Sequence, residues 1–325
     1  MKKSIVIICT AVLLVCVLAV SGCAAPVAAS PSASAPASAV ASAPASSAVA
    51  SASPAASQAE GAVVTDMLGN QVTVKATDKI VSLAPSTTEA LFALGAGDKI
   101  IGVDSSSNYP EEAKSKEIVG DFNGPNVEKI VALKPDVVLG GNTLQKEQTE
   151  QMQKLGLTVV STEAVAYDDI PKSIELIGSV LGKEAEAKAI VDKISAAAAQ
   201  AKEKAPKEAK TVYYVMSFGD SGNWTSGPGS FINSIIEACG GVPVTKDAPA
   251  PWIDYPMESL VKADPDILLL ASDTGTLDDL KKTQGYSTLS AVKNGTVYVV
   301  NADILSRPGP RIADAITMVS GLLNK

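Results

Sequence analysis

The sequence predicts an α/β fold of two doubly wound, Rossmann-like lobes joined by one long α-helix, with a ligand cleft between the lobes. Three observations carry this reading. Short β-prone runs alternate with amphipathic helical stretches, the pattern of a parallel sheet covered by helices. One segment recurs, as Val127-Glu-Lys-Ile-Val-Ala-Leu-Lys-Pro-Asp-Val-Val-Leu139 and Met257-Glu-Ser-Leu-Val-Lys-Ala-Asp-Pro-Asp-Ile-Leu-Leu269. Between the two copies, Glu184 to Ala205 is an Ala/Lys/Glu helix pattern, roughly 33 Å long at 1.5 Å per residue.

The elements follow in order. Met1-Lys2-Lys3 is a basic start, and Ile5 to Val20 is a run of 16 residues in which Thr10 is the one polar member. A spanning helix needs about 20 residues, so this run fits the apolar core of an export signal. Small residues, Val20-Ser21-Gly22, stand directly before Cys23. This resembles the bacterial lipobox, which implies that residues 1–22 are removed and that Cys23 is lipidated, becoming residue one. Ala24 to Ala59 holds only Ala, Ser, Pro, Val and one Gln. Such a stretch cannot bury enough apolar area to fold, so residues 23–60 are read as a lipidated Cys and a tether.

The N-terminal lobe is expected over residues 61–168. Val63 to Val74 holds two β-prone runs around Gly69-Asn70, a hairpin signal. Lys79 to Leu83 is a buried-type strand that stops at Pro85, and Ser86 with Glu89 three positions on suggests a helix capping box. Strands are expected at 99–103, 137–139 and 158–161, and helices at 128–133 and 147–155. Residues 169–209 form the interlobe helix, with a break at Leu181-Gly182. The C-terminal lobe, 210–325, opens with a strand at 211–216, then a Gly-rich loop and a helix from Phe231 to Cys239 capped by Ser230.

Composition narrows the chemistry. The chain has no His, which removes Ser-His-Asp hydrolysis, zincin sites and His-ligated haem or metal. The formal charge is −8, and loss of Lys2 and Lys3 makes the mature chain still more acidic, so nucleic acid is not an expected partner. Cys23 and Cys239 are the most that reach the mature chain, too few for a disulfide framework. No Gly-x-Gly-x-x-Gly follows the first strand, and no Walker loop, nucleophile elbow or spaced acid/base dyad is present. The chain is therefore not read as an enzyme, and neither a cofactor nor a metal site is expected.

The lipobox, the tether, Ile80-Val-Ser-Leu-Ala-Pro-Ser-Thr-Thr-Glu89, Gly102-Val-Asp with Asn108-Tyr-Pro110, and the two Glu-to-Pro-Asp segments together resemble the helical-backbone class of ABC importer substrate-binding proteins. That class serves cobalamin, iron siderophores and haem. The resemblance covers Val63 to Leu323 and implies an extracytoplasmic, membrane-anchored monomer that delivers a small chelate to a permease dimer with its ATPase subunits. It implies that Glu128 and Glu258, one per lobe, dock on the permease. It is greatest toward the cobalamin-binding members, in which Phe122, Phe218, Trp224 and Trp252 fall at positions carrying pocket aromatics. Asp303 and Arg307 fall where those members hydrogen-bond the corrin rim. Ser106 and Gly141 depart from that pattern, each standing where an aromatic is expected, and Tyr109 or Tyr255 can compensate. A ferric siderophore, met by Arg307 and Arg311, is the alternative ligand. Haem, with Tyr109 as its ligand, is the third.

Overall fold

The computed structural model describes residues 61–121, 123–140 and 146–325. The export signal, Cys23, the tether, Phe122 and Gly141 lie outside the described residues. Strands β1 (Ala62–Thr65) and β2 (Gln71–Val74) form the expected hairpin, antiparallel, with Thr65 opposite Gln71. Asp66 closes its turn, because Oδ1 accepts from the main-chain N–H groups of Leu68 and Asn70 at 3.0 and 2.8 Å.

The first large sheet is built from β3 (Ile80–Ser82), β4 (Ile100–Asp104), β5 (Glu117–Asp121), β6 (Gly124–Pro125), β7 (Val137–Gly140) and β8 (Val159–Ser161). Its spatial order is β6-β5-β4-β3-β7-β8, parallel except for the β5–β6 pair. Helix α1 (Pro85–Ala93) follows β3, α2 (Val127–Leu133) precedes β7, and α3 (Lys146–Lys154) precedes β8. The expected capping box at Ser86 and Glu89 does not form. Pro85 occupies the first helical turn and Ala84 is the N-cap, which places Ser86 inside the helix and buries Glu89.

Helix α4 (Asp169–Leu181) ends at Gly182 in the left-handed region, φ 65°, and α5 (Glu184–Glu203) carries the chain across to the second sheet. Ala187, Ile194 and Ala201, spaced by seven, are the buried stripe of α5. The second large sheet uses β9 (Thr211–Val215), β11 (Val242–Pro243), β13 (Ile267–Ala271) and β14 (Val297–Val300), all parallel, in the order β11-β9-β13-β14. Strands β10 (Trp224–Ser226) and β12 (Trp252–Asp254) pair with each other as a separate antiparallel ribbon. Its helices are α6 (Phe231–Ala238), α7 (Met257–Ala263), α8 (Leu277–Lys282), α9 (Ser290–Asn294), α10 (Ala302–Ser306) and α11 (Ile312–Leu323). Ser230 caps α6 as expected, accepting from the Asn233 N–H.

Alternation along the strands sorts the core. Ile80, Val137 and Leu139 face the same apolar cluster as Tyr214, Ile267 and Leu269 of the other sheet, together with residues of α4, α5, α6 and α11. Val81 and Val138 point the opposite way, onto Ile130 and Met152. Tyr213, Val215, Leu268 and Leu270 turn likewise onto Leu260 and Tyr286. Each sheet is therefore covered on both faces, as parallel sheets require. The first cluster runs without a break from one lobe to the other beneath α5. Movement of one lobe against the other has to disturb that packed core, which resists small deformations.

Candidate functional site

Sheet topology fixes where a crevice can open. In the first sheet the chain leaves β3 for β4 on one side and leaves β7 for β8 on the other. In the second it leaves β9 toward β11 on one side and β13 toward β14 on the other. Loops that diverge in this way leave a gap beyond the carboxyl ends of the two central strands. In the second lobe a cavity of about 490 Å³ lies at that point, floored by Tyr214 and Met216 from the end of β9 and by Ala271 and Asp273 from the end of β13. Trp252 and Phe231 wall it, with ring centroids 5.8 Å apart and planes at 66°. Ala302 and Ser306 of α10 complete the lining. This size and apolar character suit a small-molecule site. A larger hollow of about 840 Å³ is lined by Glu89, Tyr109, Ile190, Lys193 and Arg311 among others. It runs along α1, α5 and the start of α11 and along the segment between β4 and β5, away from the gap between diverging central strands, so topology favours the smaller cavity as the ligand site.

The two tryptophans, which stand among Gly, Asn, Ser and Pro, sit in strands. Ser226 pairs with Trp252 and Trp224 pairs with Asp254, so both indoles stand on one face of the β10–β12 ribbon. They are 40% and 37% exposed, large apolar groups left partly uncovered. Trp252 reaches the cavity, whereas Trp224 stands further along the ribbon, beside Gly222. Phe218 packs edge-on to Tyr286, with centroids 6.0 Å apart, and lies so close over Gly275 that an added Cβ there would be 2.9 Å from its Cζ. Phe231 and Tyr214 belong to the cavity but were not singled out in the sequence. Phe231 directly follows a capping Ser and reads as a core residue of α6, and Tyr214 reads as one more apolar member of a buried strand.

Asp303 and Arg307 sit at the two ends of α10 and pair at 2.7 Å. Arg307 is buried, and its other contacts cross to the first lobe: Nη1 donates to Glu89 Oε1 at 3.0 Å and Nη2 to the Ser106 carbonyl at 3.3 Å. Arg311 holds the same carboxylate, with Nε donating to Glu89 Oε2 at 2.7 Å and Nη2 to Oε1. The Tyr109 ring covers the Arg311 guanidinium at 4.0 Å, a cation–π contact. These are the chain's two arginines, and both are committed to one buried glutamate. Gly309 lies between them, where a Cβ would come within 3.3 Å of the Ser86 carbonyl oxygen, so α1 can approach closely. Nearby, burial pushes the Asp104 carboxyl up, opposed by hydrogen bonds from Ser107 and from the Ser106 main chain and by the charge of Arg307.

Glu128 and Glu258 are exposed in the first turns of α2 and α7. Their helices match in detail. Each ends in a non-Gly residue in the left-handed region, Lys134 at φ 50° and Asp264 at φ 41°, followed by Pro-Asp and a buried strand. Among the described residues these are the two non-Gly positions of positive φ.

Two covered parallel sheets, a continuous core between them and a switch-point cavity define a two-lobed binding protein. The chain belongs to the periplasmic binding protein family, whose match spans residues 80–304. It is 34% identical over 262 residues to an uncharacterized ABC transporter substrate-binding lipoprotein, YvrC of Bacillus subtilis, covering 78% of this chain and 82% of that one. It is 32% identical over 268 residues to the vitamin B12-binding protein of Salmonella typhimurium, covering 81% and 97%. Among solved structures, the vitamin B12-binding protein BtuF of Vibrio cholerae is 26% identical with a TM-score of 0.65, covering 76% of this chain and 96% of that one. The apo haem-binding protein RhuT of Roseiflexus is 25% identical with a TM-score of 0.70, covering 77% and 98%. These relatives are substrate-binding transport proteins and not enzymes, and what such a protein holds is a transported ligand rather than a cofactor.

Proposed function

We propose that this chain is the extracytoplasmic substrate-binding lipoprotein of an ABC importer, and that it captures a corrinoid and hands it to the permease. The Trp252–Phe231 wall at the switch point of the second sheet carries the reading, since a broad apolar ring needs aromatic surface. The curated vitamin B12-binding relative, aligned along nearly its whole length, supports it. Residues 61–168 and 210–325 are the two lobes and 169–209 the connection. The lipid on Cys23 and the tether of residues 23–60 hold the lobes outside the membrane as a monomer, and Glu128 and Glu258 meet the permease dimer. In this reading Phe122, Phe218, Trp224 and Tyr109 are further ligand contacts, together with Asp303 and Arg307.

A ferric siderophore or haem is the second reading, favoured by the haem-binding structural neighbour and by Tyr109 exposed beside Arg311. Calorimetric titration of the full-length chain in detergent against cobalamin, cobinamide, haemin and a ferric tris-catecholate separates the two. The expected result is tightest binding of a corrinoid. Tightest binding of the iron chelate or of haemin would overturn the proposal.

A further inference from the structure

Arg307 directly follows Ser306 of the cavity lining, and Arg311 lines the larger hollow; an anionic ligand would find them if they were free, yet the structure leaves neither free. Glu89 takes up both, Asp303 takes up Arg307 a second time, and Tyr109 covers Arg311. The formal charges of Glu89, Asp303, Arg307 and Arg311 cancel. The Glu89, Arg307 and Arg311 side chains are only 2%, 9% and 13% exposed, against 41% for Asp303. The cluster thus turns a carboxylate outward and keeps its cations inside. Among the described residues lining the cavity, Asp273 carries the one formal charge, and it too is negative. Ionised carboxylates only accept hydrogen bonds.

We propose that Glu89 sets the charge selectivity of the site. By holding Arg307 and Arg311 it leaves Asp273 as the charged group among the described residues of the cavity lining, an acceptor that selects ligands whose rim offers N–H donors and rejects ligands rimmed with carboxylates. The inference rests on the corrinoid reading and sharpens it. Ring apolarity and ring size do not distinguish a corrin from a porphyrin, but the rim does, since corrinoids carry amides and haem carries propionates. Like charges brought together at a partly desolvated edge disfavour the wrong ligand, in addition to whatever contacts favour the right one.

The test compares two corrins that differ at the rim alone: cobinamide, with amides, and cobyrinic acid, with carboxylates. Each is titrated into the full-length chain in detergent at pH 7.5. Wild type is expected to bind cobinamide at least tenfold more tightly. Glu89→Gln releases the arginines and is expected to narrow that ratio to threefold or less. Because Glu89→Gln removes the shared partner of two buried cations and can disturb folding, Asp273→Asn, on an exposed carboxylate of the cavity lining, provides an independent variant expected to narrow the ratio in the same direction. Equal affinity of wild type for the two corrins would overturn the role of Glu89 while leaving the corrinoid reading standing. Failure to bind either corrin, with tight binding of haemin, would overturn both.

Discussion

Asp136 and Asp266, at matched places in the two lobes, make matched bonds. Asp136 Oδ2 accepts from the main-chain N–H groups of Asp78 and Lys79, both at 2.9 Å, and Asp266 Oδ2 accepts from that of Thr211 at 2.7 Å. Each carboxylate thereby ties the strand that follows its Pro to the entry of the neighbouring central strand, β3 or β9. This gives a physical reason for the Asp in both Pro-Asp pairs, since the orphan N–H groups at a strand start need an acceptor.

Replacing either Asp with Ala is therefore expected to destabilise the fold by about 1–2 kcal/mol, the usual cost of removing a charged acceptor from main-chain donors. Asn, which keeps one acceptor oxygen, is expected to cost less. Urea unfolding of Asp136→Ala and Asp266→Ala checks this, and midpoints equal to wild type would show that the repeated Asp has no such role.

The same repeat places Glu128 and Glu258 on equivalent exposed helix starts. Charge reversal to Lys is expected to reduce ligand import and co-purification with the permease, with solution affinity for the ligand unchanged. A desolvated charge pair lost at an interface typically costs about 2–5 kcal/mol, enough for a single reversal to register. Normal import by both variants would remove the docking role.

The repeat and the strand–helix alternation were legible because they depend on local pattern: a period of 2 in the strands, left-handed caps, and Pro placed after a helix. The site was less legible because it depends on contacts far apart in sequence. Glu89 carries the local signature of a capping box, and only Arg307 and Arg311, more than 200 positions away, turn it into the centre of an interlobe cluster. Trp224 and Trp252 stand among Gly, Asn, Ser and Pro, which read as loop, yet they pair across 28 residues into a ribbon. Phe231 and Tyr214 follow ordinary core periodicity, and their opening onto a cavity comes from sheet order, which no single segment encodes.

Cys239 is buried and donates to the Ile316 carbonyl at 3.4 Å, and burial pushes its thiol up to about 12. The folded chain therefore holds this proton more tightly than the unfolded chain, whose thiol titrates near 8.5. The resulting stabilisation is fully present below about pH 8.5 and is lost as pH rises toward 12. Since the thiolate is the reactive form, iodoacetamide at pH 8 is expected to spare Cys239 in the native protein and to label it in 8 M urea. Mass spectrometry of the Cys239 peptide reads the outcome, and rapid labelling of the native protein would contradict the burial.

Trp252 gives the sharpest test of the ligand surface. Its indole meets the Phe231 ring edge-on, lines the cavity, and leaves over a third of itself uncovered. Truncation to Ala removes one wall of the cavity. The fold should survive, because Trp252 lies on a two-stranded ribbon and not in either large sheet. Loss of such an anchor commonly costs 2 kcal/mol or more, roughly 30-fold in affinity. Trp252→Ala is therefore expected to weaken cobinamide binding at least tenfold, while Trp224→Ala, outside the cavity lining, is expected to weaken it less. Saturating cobinamide is expected to quench tryptophan fluorescence in wild type and to quench it far less in Trp252→Ala, since the chain has two tryptophans and one of them lines the cavity. Equal quenching in the two proteins, with unchanged affinity, would move the ligand away from this cavity and toward the larger hollow beside Tyr109.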